Sequence, residues 1–285
     1  ITIPEELSIP SKENHYPVIS IENELKNQDV PKPRQIFSSS GNSSVQLRRL
    51  GELMWIYIET LPSTSWPISK SYWETSKYDV LASNPDNGEI KINFDESKIF
   101  VMKIEHGIKE ASTEIFLNLV NKEDQDIISN IELVQSELEN LVNYFAESVD
   151  SFSGTSLAAQ NLNEMKKAKI FTEDGQTVIE LNLNFDRAWS SVTRAMESAE
   201  IVTNDKNRND GIFYVSYSSE EEGGFLSFLG FGSNSESSKS TFNDEAQFEV
   251  TIEEKNNKTY VRARSKDGKI DDSEELLSKI NESLS

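Results

Sequence analysis

The chain contains no cysteine, and only two of its residues are histidines, His15 and His106. Disulfides, thiolate catalysis and zinc–sulfur sites are thereby excluded, and a histidine-based metal cluster or catalytic triad has little material. Both histidines are expected on the surface, His106 at a strand end. No apolar run approaches the roughly 18 residues that a helix needs to cross a bilayer. The opening stretch "ITIPEELSIP" lacks the basic and apolar regions of a signal peptide, so the chain reads as mature or cytosolic. Basic residues are also scarce, 28 Lys and Arg against 49 Asp and Glu, for a net charge of −21. Such a field repels phosphate backbones, and nucleic acid is not an expected partner.

Proline is concentrated at one end. Five of the eight prolines, at positions 4, 10, 17, 31 and 33, precede residue 34. Each fixes its own φ and restricts the residue before it, so this stretch is expected to be extended. Beyond it, hydrophobic periodicity appears. Met54, Ile56 and Ile58 alternate with Trp55 and Tyr57 as in a strand covered on both faces. A helix carrying Trp66 and Trp73 should follow, with Pro67 in its first turn. Strands are then expected at Tyr78–Ala82, around Ile90, Ile92 and Phe94, at Phe100–Ile104 and at Ile115–Val120. A long amphipathic helix closes the unit through Ile127, Ile131, Val134, Leu138, Leu141, Val142 and Phe145.

The same order begins again after a polar stretch. Val178–Leu183 reads as a strand, and Asp186 is placed to cap a helix whose buried face is Trp189, Val192, Met196 and Ala199. The spacing repeats as well: Gly88 lies 22 residues after Trp66, and Gly211 lies 22 after Trp189. Phe94 and Tyr217 each stand 28 residues after the same tryptophans. Shared order and shared register together imply a duplicated domain. The second copy carries an insertion, 218–240, before strands at Phe248–Ile252 and Tyr260–Ala263 and a last helix with Leu276, Leu277, Ile280 and Leu284.

The expected organisation is therefore α+β: an extended arm over 1–43, a first domain over 44–149, a linker over 150–167 and a second domain over 168–285. In the insertion, Phe225, Leu226, Phe228, Leu229 and Phe231 lie among Ser, Glu and Gly. They fold back on their own sheet or form a partner or membrane contact. The adjacent Glu220, Glu221 and Glu222 oppose an anionic membrane and favour a protein.

Catalytic motifs are missing: no G-x-S-x-G, Walker A, G-x-G-x-x-G or H-E-x-x-H pattern occurs. Asp205, Asn207 and Asn209 alternate like calcium ligands, but Asp210 and Ser216 stand where an EF-hand needs glycine and glutamate. A polar hairpin turn is the better reading. The carboxylate clusters Glu123, Asp124, Asp126 and Asp271, Asp272, Glu274, Glu275 read as helix starts, where negative charge complements the dipole. Three N-x-[ST] triplets, at Asn42, Asn257 and Asn281, are what chance gives in such a composition. No metal, cofactor or catalytic residue is expected.

The arm motifs "YPVIS" and "DVPKPRQIF", the tandem domains and the segment "FDRAWSSVTRAMESAEIVTNDKNRNDGIFYVSY" together resemble the BamC (NlpB) family of outer-membrane protein assembly lipoproteins. That resemblance covers nearly the whole chain. It implies two helix-grip domains, each an antiparallel sheet packed by a long C-terminal helix, and a non-catalytic accessory scaffold of the β-barrel assembly complex. It also implies an extended arm lying along a BamD-like subunit, with Tyr16, Pro17, Val18, Val30, Pro33 and Phe37 as anchors, and a location at the periplasmic side of the outer membrane. Family members begin with a lipidated cysteine and this sequence has none, so the lipid anchor is an inference from the resemblance alone. The competing expectation is a lipid or small-molecule carrier, whose signature would be a continuous apolar cavity between sheet and helix.

Overall fold

In the computed structural model, residues 34–38, 44–148, 154–217 and 246–284 are described. The expected arm anchors Tyr16, Pro17, Val18, Val30 and Pro33, the apolar cluster 225–231 and His15 lie outside them.

Two antiparallel sheets follow one another along the chain. The first is built from β1 (Arg34–Ser38), β2 (Val45–Leu50), β3 (Leu53–Ile58), β4 (Asp79–Asn84), β5 (Glu89–Asn93), β6 (Lys98–His106) and β7 (Thr113–Asn121), in the order β1-β2-β3-β7-β6-β5-β4. A two-residue strand, β8 (Ile127–Ile128), pairs with β7. Helices α1 (Pro62–Thr75) and α2 (Ile131–Ser148) pack on one face. The second sheet takes β9 (Ala168–Glu173), β10 (Gln176–Leu181), β11 (Val202–Asn207), β12 (Ile212–Ser216), β13 (Phe248–Lys255) and β14 (Lys258–Ser265) in the order β11-β12-β13-β14-β10-β9, with α3 (Phe185–Ser198) and α4 (Ile270–Ser283).

The repeat is visible residue by residue. From β2 to β5 every element boundary recurs in β9 to β12 shifted by 123 positions, so Val45–Leu50 becomes Ala168–Glu173 and Pro62–Thr75 becomes Phe185–Ser198. Even the irregularity recurs: the β4–β5 register shifts between Val80 and Ala82, and the β11–β12 register shifts between Thr203 and Asp205. Thr113 Oγ1 donates to the carbonyl of Thr60 at 2.6 Å, and its counterpart Thr259 Oγ1 donates to that of Leu183 at 2.8 Å.

The paired glycines owe their position to a close approach. Gly88 and Gly211 have φ of +72° and +68°, and their carbonyls accept from the Ile104 and Ile252 amides of the adjoining strands at 2.8 and 2.7 Å. A Cβ at either would collide with the carbonyl oxygen of that same isoleucine.

The tryptophans expected as core anchors are core anchors. Trp66, Trp73 and Trp189 are at most 5% exposed. Trp189 stacks on Phe213 with centroids 3.9 Å apart, and Trp73 meets Tyr72, Tyr78 and Phe100.

Several local expectations are corrected. Each repeat has two strands, not one, before its first helix. Asn184 is the N-cap of α3, its side chain accepting from the Arg187 amide at 3.1 Å; Asp186 lies in the first turn and pairs with Arg208. Ile127 belongs to β8 and not to the helical face, which begins at Ile131. Glu123, Asp124 and Asp126 therefore sit in the β7–β8 turn, where Asp124 Oδ1 caps the Asp126 amide at 3.0 Å. Glu114, by contrast, is one of several charged groups taken into the interior, and His106 is buried as well.

Pro67 lies in the second turn of α1, since Pro62 starts the helix. It cannot donate to the carbonyl of Ser63, four residues back. The amide of Ser156 does so instead, at 2.8 Å. Asn163 completes the clamp, accepting from the Ser63 amide and donating to Ser63 Oγ, both at 3.0 Å. The stretch expected as linker thus contains a 3₁₀ helix, Leu157–Glu164, that buries Ala159 and Leu162 against the first domain.

Candidate functional site

Of the expected anchors, Phe37 alone falls on described backbone. It lies in β1 opposite Leu47 of β2, so the residues that follow the proline-rich stretch form the outermost strand of the first sheet among the described residues.

The most concentrated chemistry is at the junction of the two repeats, on the face of the first sheet opposite α1 and α2. Trp55 and Tyr57 of β3 and Phe116 of β7 form a small buried cluster there. Beside it Glu114 of β7 is 1% exposed. Its Oε1 accepts from Arg187 Nη2 of α3 at 2.8 Å, and its Oε2 accepts from Lys167 Nζ at 2.5 Å. Lys167 also reaches Glu105 of β6 at 2.9 Å. The Arg187 guanidinium lies 4.8 Å from the centre of the Trp55 ring and 5.5 Å from that of Phe116. Ile108, from the β6–β7 loop, joins the core of the second domain.

Burial by itself would raise the Glu114 pKa, but Arg187 and Lys167 outweigh it and bring the group down to about 2. The carboxylate is therefore ionised throughout the neutral range, with both oxygens engaged. Such a group holds two domains in register; it is not a free general base. Nearby, the Arg48 guanidinium sits 3.6 Å over the Tyr57 ring. Burial, and then the positive charge of Arg194 on α3, lower Arg48 to about 10. Burial pushes Tyr57 up to about 12.

The junction is not legible in the sequence because Glu114 stands 53 residues from Lys167 and 73 from Arg187, and each is individually ordinary. One signal was present: Trp55 and Tyr57 occupy the face of β3 that a two-layer domain leaves to solvent. Their counterparts in the second repeat are Val178 and Glu180, and Phe116 corresponds to Arg262. Glu180 and Arg262 instead join a polar ladder with Lys258 and Glu173, at 2.7 and 2.6 Å. The outer face of sheet one carries buried aromatic rings, whereas the matching positions of sheet two carry ion pairs around a buried Val178.

Between α2 and the first sheet, Leu138, Leu141, Val142 and Phe145 fill the space together with Trp73, Phe100 and Met102, all of them fully buried. A second polar feature there is Glu137, which accepts from the Tyr72 and Tyr78 hydroxyls. In the second domain two grooves run beside α4: one of about 260 Å³ between β10, β14 and the helix start, and one of about 570 Å³ flanked by Ile170 and Glu274. Among the described residues, no helix is long and apolar enough to cross a membrane.

The family model described as the outer membrane protein assembly factor BamC-like C-terminal domain matches residues 168–285. The chain is 21% identical over 263 residues to the outer membrane protein assembly factor BamC of Thiobacillus denitrificans, spanning 76% of this chain and 70% of that protein. It is also 21% identical over 276 residues to the protein of the same name from Accumulibacter regalis, spanning 81% and 71%.

Proposed function

Since the chain belongs to the BamC family, we propose that it is an accessory subunit of the β-barrel assembly machinery at the outer membrane. It acts there without catalysis, as a scaffold. The observation that carries this reading is the family match over the whole second repeat, together with relatives that extend it across most of the chain. The buried chemistry is consistent with it: the ion cluster around Glu114 has its hydrogen-bonding capacity committed to joining domains. The space beneath α2 is filled by side chains, which removes support from a carrier.

The partner-binding element on this reading is the proline-rich stretch, docked in extended form on a BamD-like subunit through Tyr16, Pro17, Val18, Val30, Pro33 and Phe37. A pre-extended segment loses less entropy on docking than a flexible coil. The apolar residues Phe225, Leu226, Phe228, Leu229 and Phe231 supply a second contact, to protein or membrane. At the outer membrane the chain is held as a lipoprotein, as is typical of the family.

Titration calorimetry with a BamD homologue tests the arm. Because Phe37 lies in a strand of the first sheet, the informative variants are Tyr16→Ser with Val18→Ser, and a chain beginning at Arg34 that keeps β1. Each buried anchor removed should weaken binding by about 1–2 kcal/mol. Equal affinity for all three proteins would transfer the contact to the folded domains.

A further inference from the structure

The two repeats differ at one pair of sheet edges. In the first repeat β2 is flanked on both sides, by β3 and by β1. Its counterpart β9 pairs with β10, and among the described residues nothing pairs with its other edge. β9 and β10 are joined by the two-residue turn Asp174–Gly175, closed by Glu173 and Gln176. The alternation of an antiparallel ladder then directs the amides and carbonyls of Ile170 and Thr172 away from β10. The corresponding residues of β2 are Leu47 and Arg49, which stand opposite Phe37 and Arg34 of the added strand.

Side-chain burial follows the same difference. Leu47 and Arg48 are 0% and 2% exposed, whereas Ile170 and Phe171 are 50% and 37% exposed. Part of the contrast comes from the helices, α2 being 18 residues long and reaching β2, and α4 only 14 and packing on β10 and β14. Ile170 is left beside a groove whose other walls are Thr177, Asp271, Glu274, Glu275 and Ser278. Three carboxylates and no cation line it. An exposed, straight edge with large apolar side chains is a feature that folded proteins ordinarily blunt.

We propose that β9 is a β-augmentation site, taking an extended segment of a partner protein that carries an apolar side chain between two basic ones on a single face, added antiparallel as β1 is added to β2. The main chain of the segment bonds Ile170 and Thr172. One apolar side chain lies against Ile170, and lysines or arginines two positions before and after it, on the same face of the added strand, meet the α4 carboxylates. Charge selects a foreign occupant over a second copy, since each chain carries a net −21. This inference stands on the repeat geometry and not on the assignment of the arm.

The test is an amide chemical-shift titration of the full chain with the short synthetic peptide Lys-Thr-Val-Thr-Lys, whose lysines and valine share one face when it is extended. A lysine–proline peptide of equal charge serves as control, because proline has no amide to donate. The expected result is saturable shifts centred on 168–173 with the first peptide and none there with the second. Thr172→Pro removes an outward amide without touching the ladder to β10, and Ile170→Lys removes the apolar contact. Each should weaken binding roughly tenfold or more, with melting temperature checked for both. Equal shifts with the lysine–proline peptide, or undiminished binding by both folded variants, would overturn the proposal. So would protection of the Ile170 and Thr172 amides from exchange in the free chain, which means this chain covers the edge itself. Shifts of the same amides with protein concentration alone would overturn it in favour of a second copy.

Discussion

Arg187 on α3 and Glu114 on β7 meet across the junction of the repeats at 2.8 Å, with side chains 8% and 1% exposed. Two groups so far from water attract strongly, and their desolvation is offset because each is also bonded or stacked elsewhere: Glu114 to Lys167, Arg187 over Trp55 and Phe116. Removing one member strands the others. Glu114→Ala should therefore cost about 3–5 kcal/mol of stability, the usual penalty for breaking a buried pair. Denaturant melts of the full chain measure it. A loss below about 1 kcal/mol would mean that water reaches the junction.

The same residue sets an acid limit. Its folded-state pKa, about 2, lies below the ordinary value of 4.5, so the folded chain favours the ionised form. Its stabilising contribution is whole above about pH 4.5 and is lost as pH falls toward 2. Glu105 is lowered as well: burial opposes this, and Lys167 prevails. Acid titration followed by tryptophan fluorescence should show a transition in that window, and Glu114→Gln should flatten it.

Gly88→Ala and Gly211→Ala should each be destabilising by about 1–3 kcal/mol or more, from backbone strain and from collision with the neighbouring isoleucine carbonyl. Gly51→Ala is the control: its φ is also positive, at +61°, but nothing lies within 4 Å of an added Cβ. It should lose only the strain, about 1 kcal/mol. Comparable losses at all three positions would show that close packing adds nothing.

Thr113→Val and Thr259→Val delete equivalent hydrogen bonds to the Thr60 and Leu183 carbonyls. Both threonines are fully buried, and the shape of the side chain is kept. Each change should cost about 1–3 kcal/mol, by leaving a buried carbonyl short of a donor. Thr113 Oγ1 also accepts from Ser65 Oγ at 3.0 Å, so Thr113→Val should lose more than Thr259→Val in thermal melts, and a smaller loss would deny the shared bond an energetic meaning.

Much of the architecture followed from the sequence because its signals are local. Alternation in β3 and β5, helical spacing around Trp66, Trp73 and Trp189, and the matched distances to Gly88 and Gly211 all act within about thirty residues, so they can be read along the chain. Errors arose where two local rules compete or where the partner is remote. Asn184 and Asp186 are both acceptable caps, and backbone geometry chose the first. Ile127 fits the helical period of α2, yet β7 offered it a ladder. Short strands such as β2 and β9 carry too little pattern to stand out.

What tertiary structure alone decided is what covers each face and each edge. Nothing near Glu114 in sequence announces Arg187, because an ion pair 73 residues apart exists only once α3 lies on the outer face of the first sheet. Nor does the sequence say that Pro67 can be accommodated, since the missing donor is replaced by Ser156 from beyond the end of α2. Local propensities act between neighbours on the chain and so leave a trace in the order of residues. Burial and charge pairing act between neighbours in space, and the folded chain is the first place where those neighbours exist.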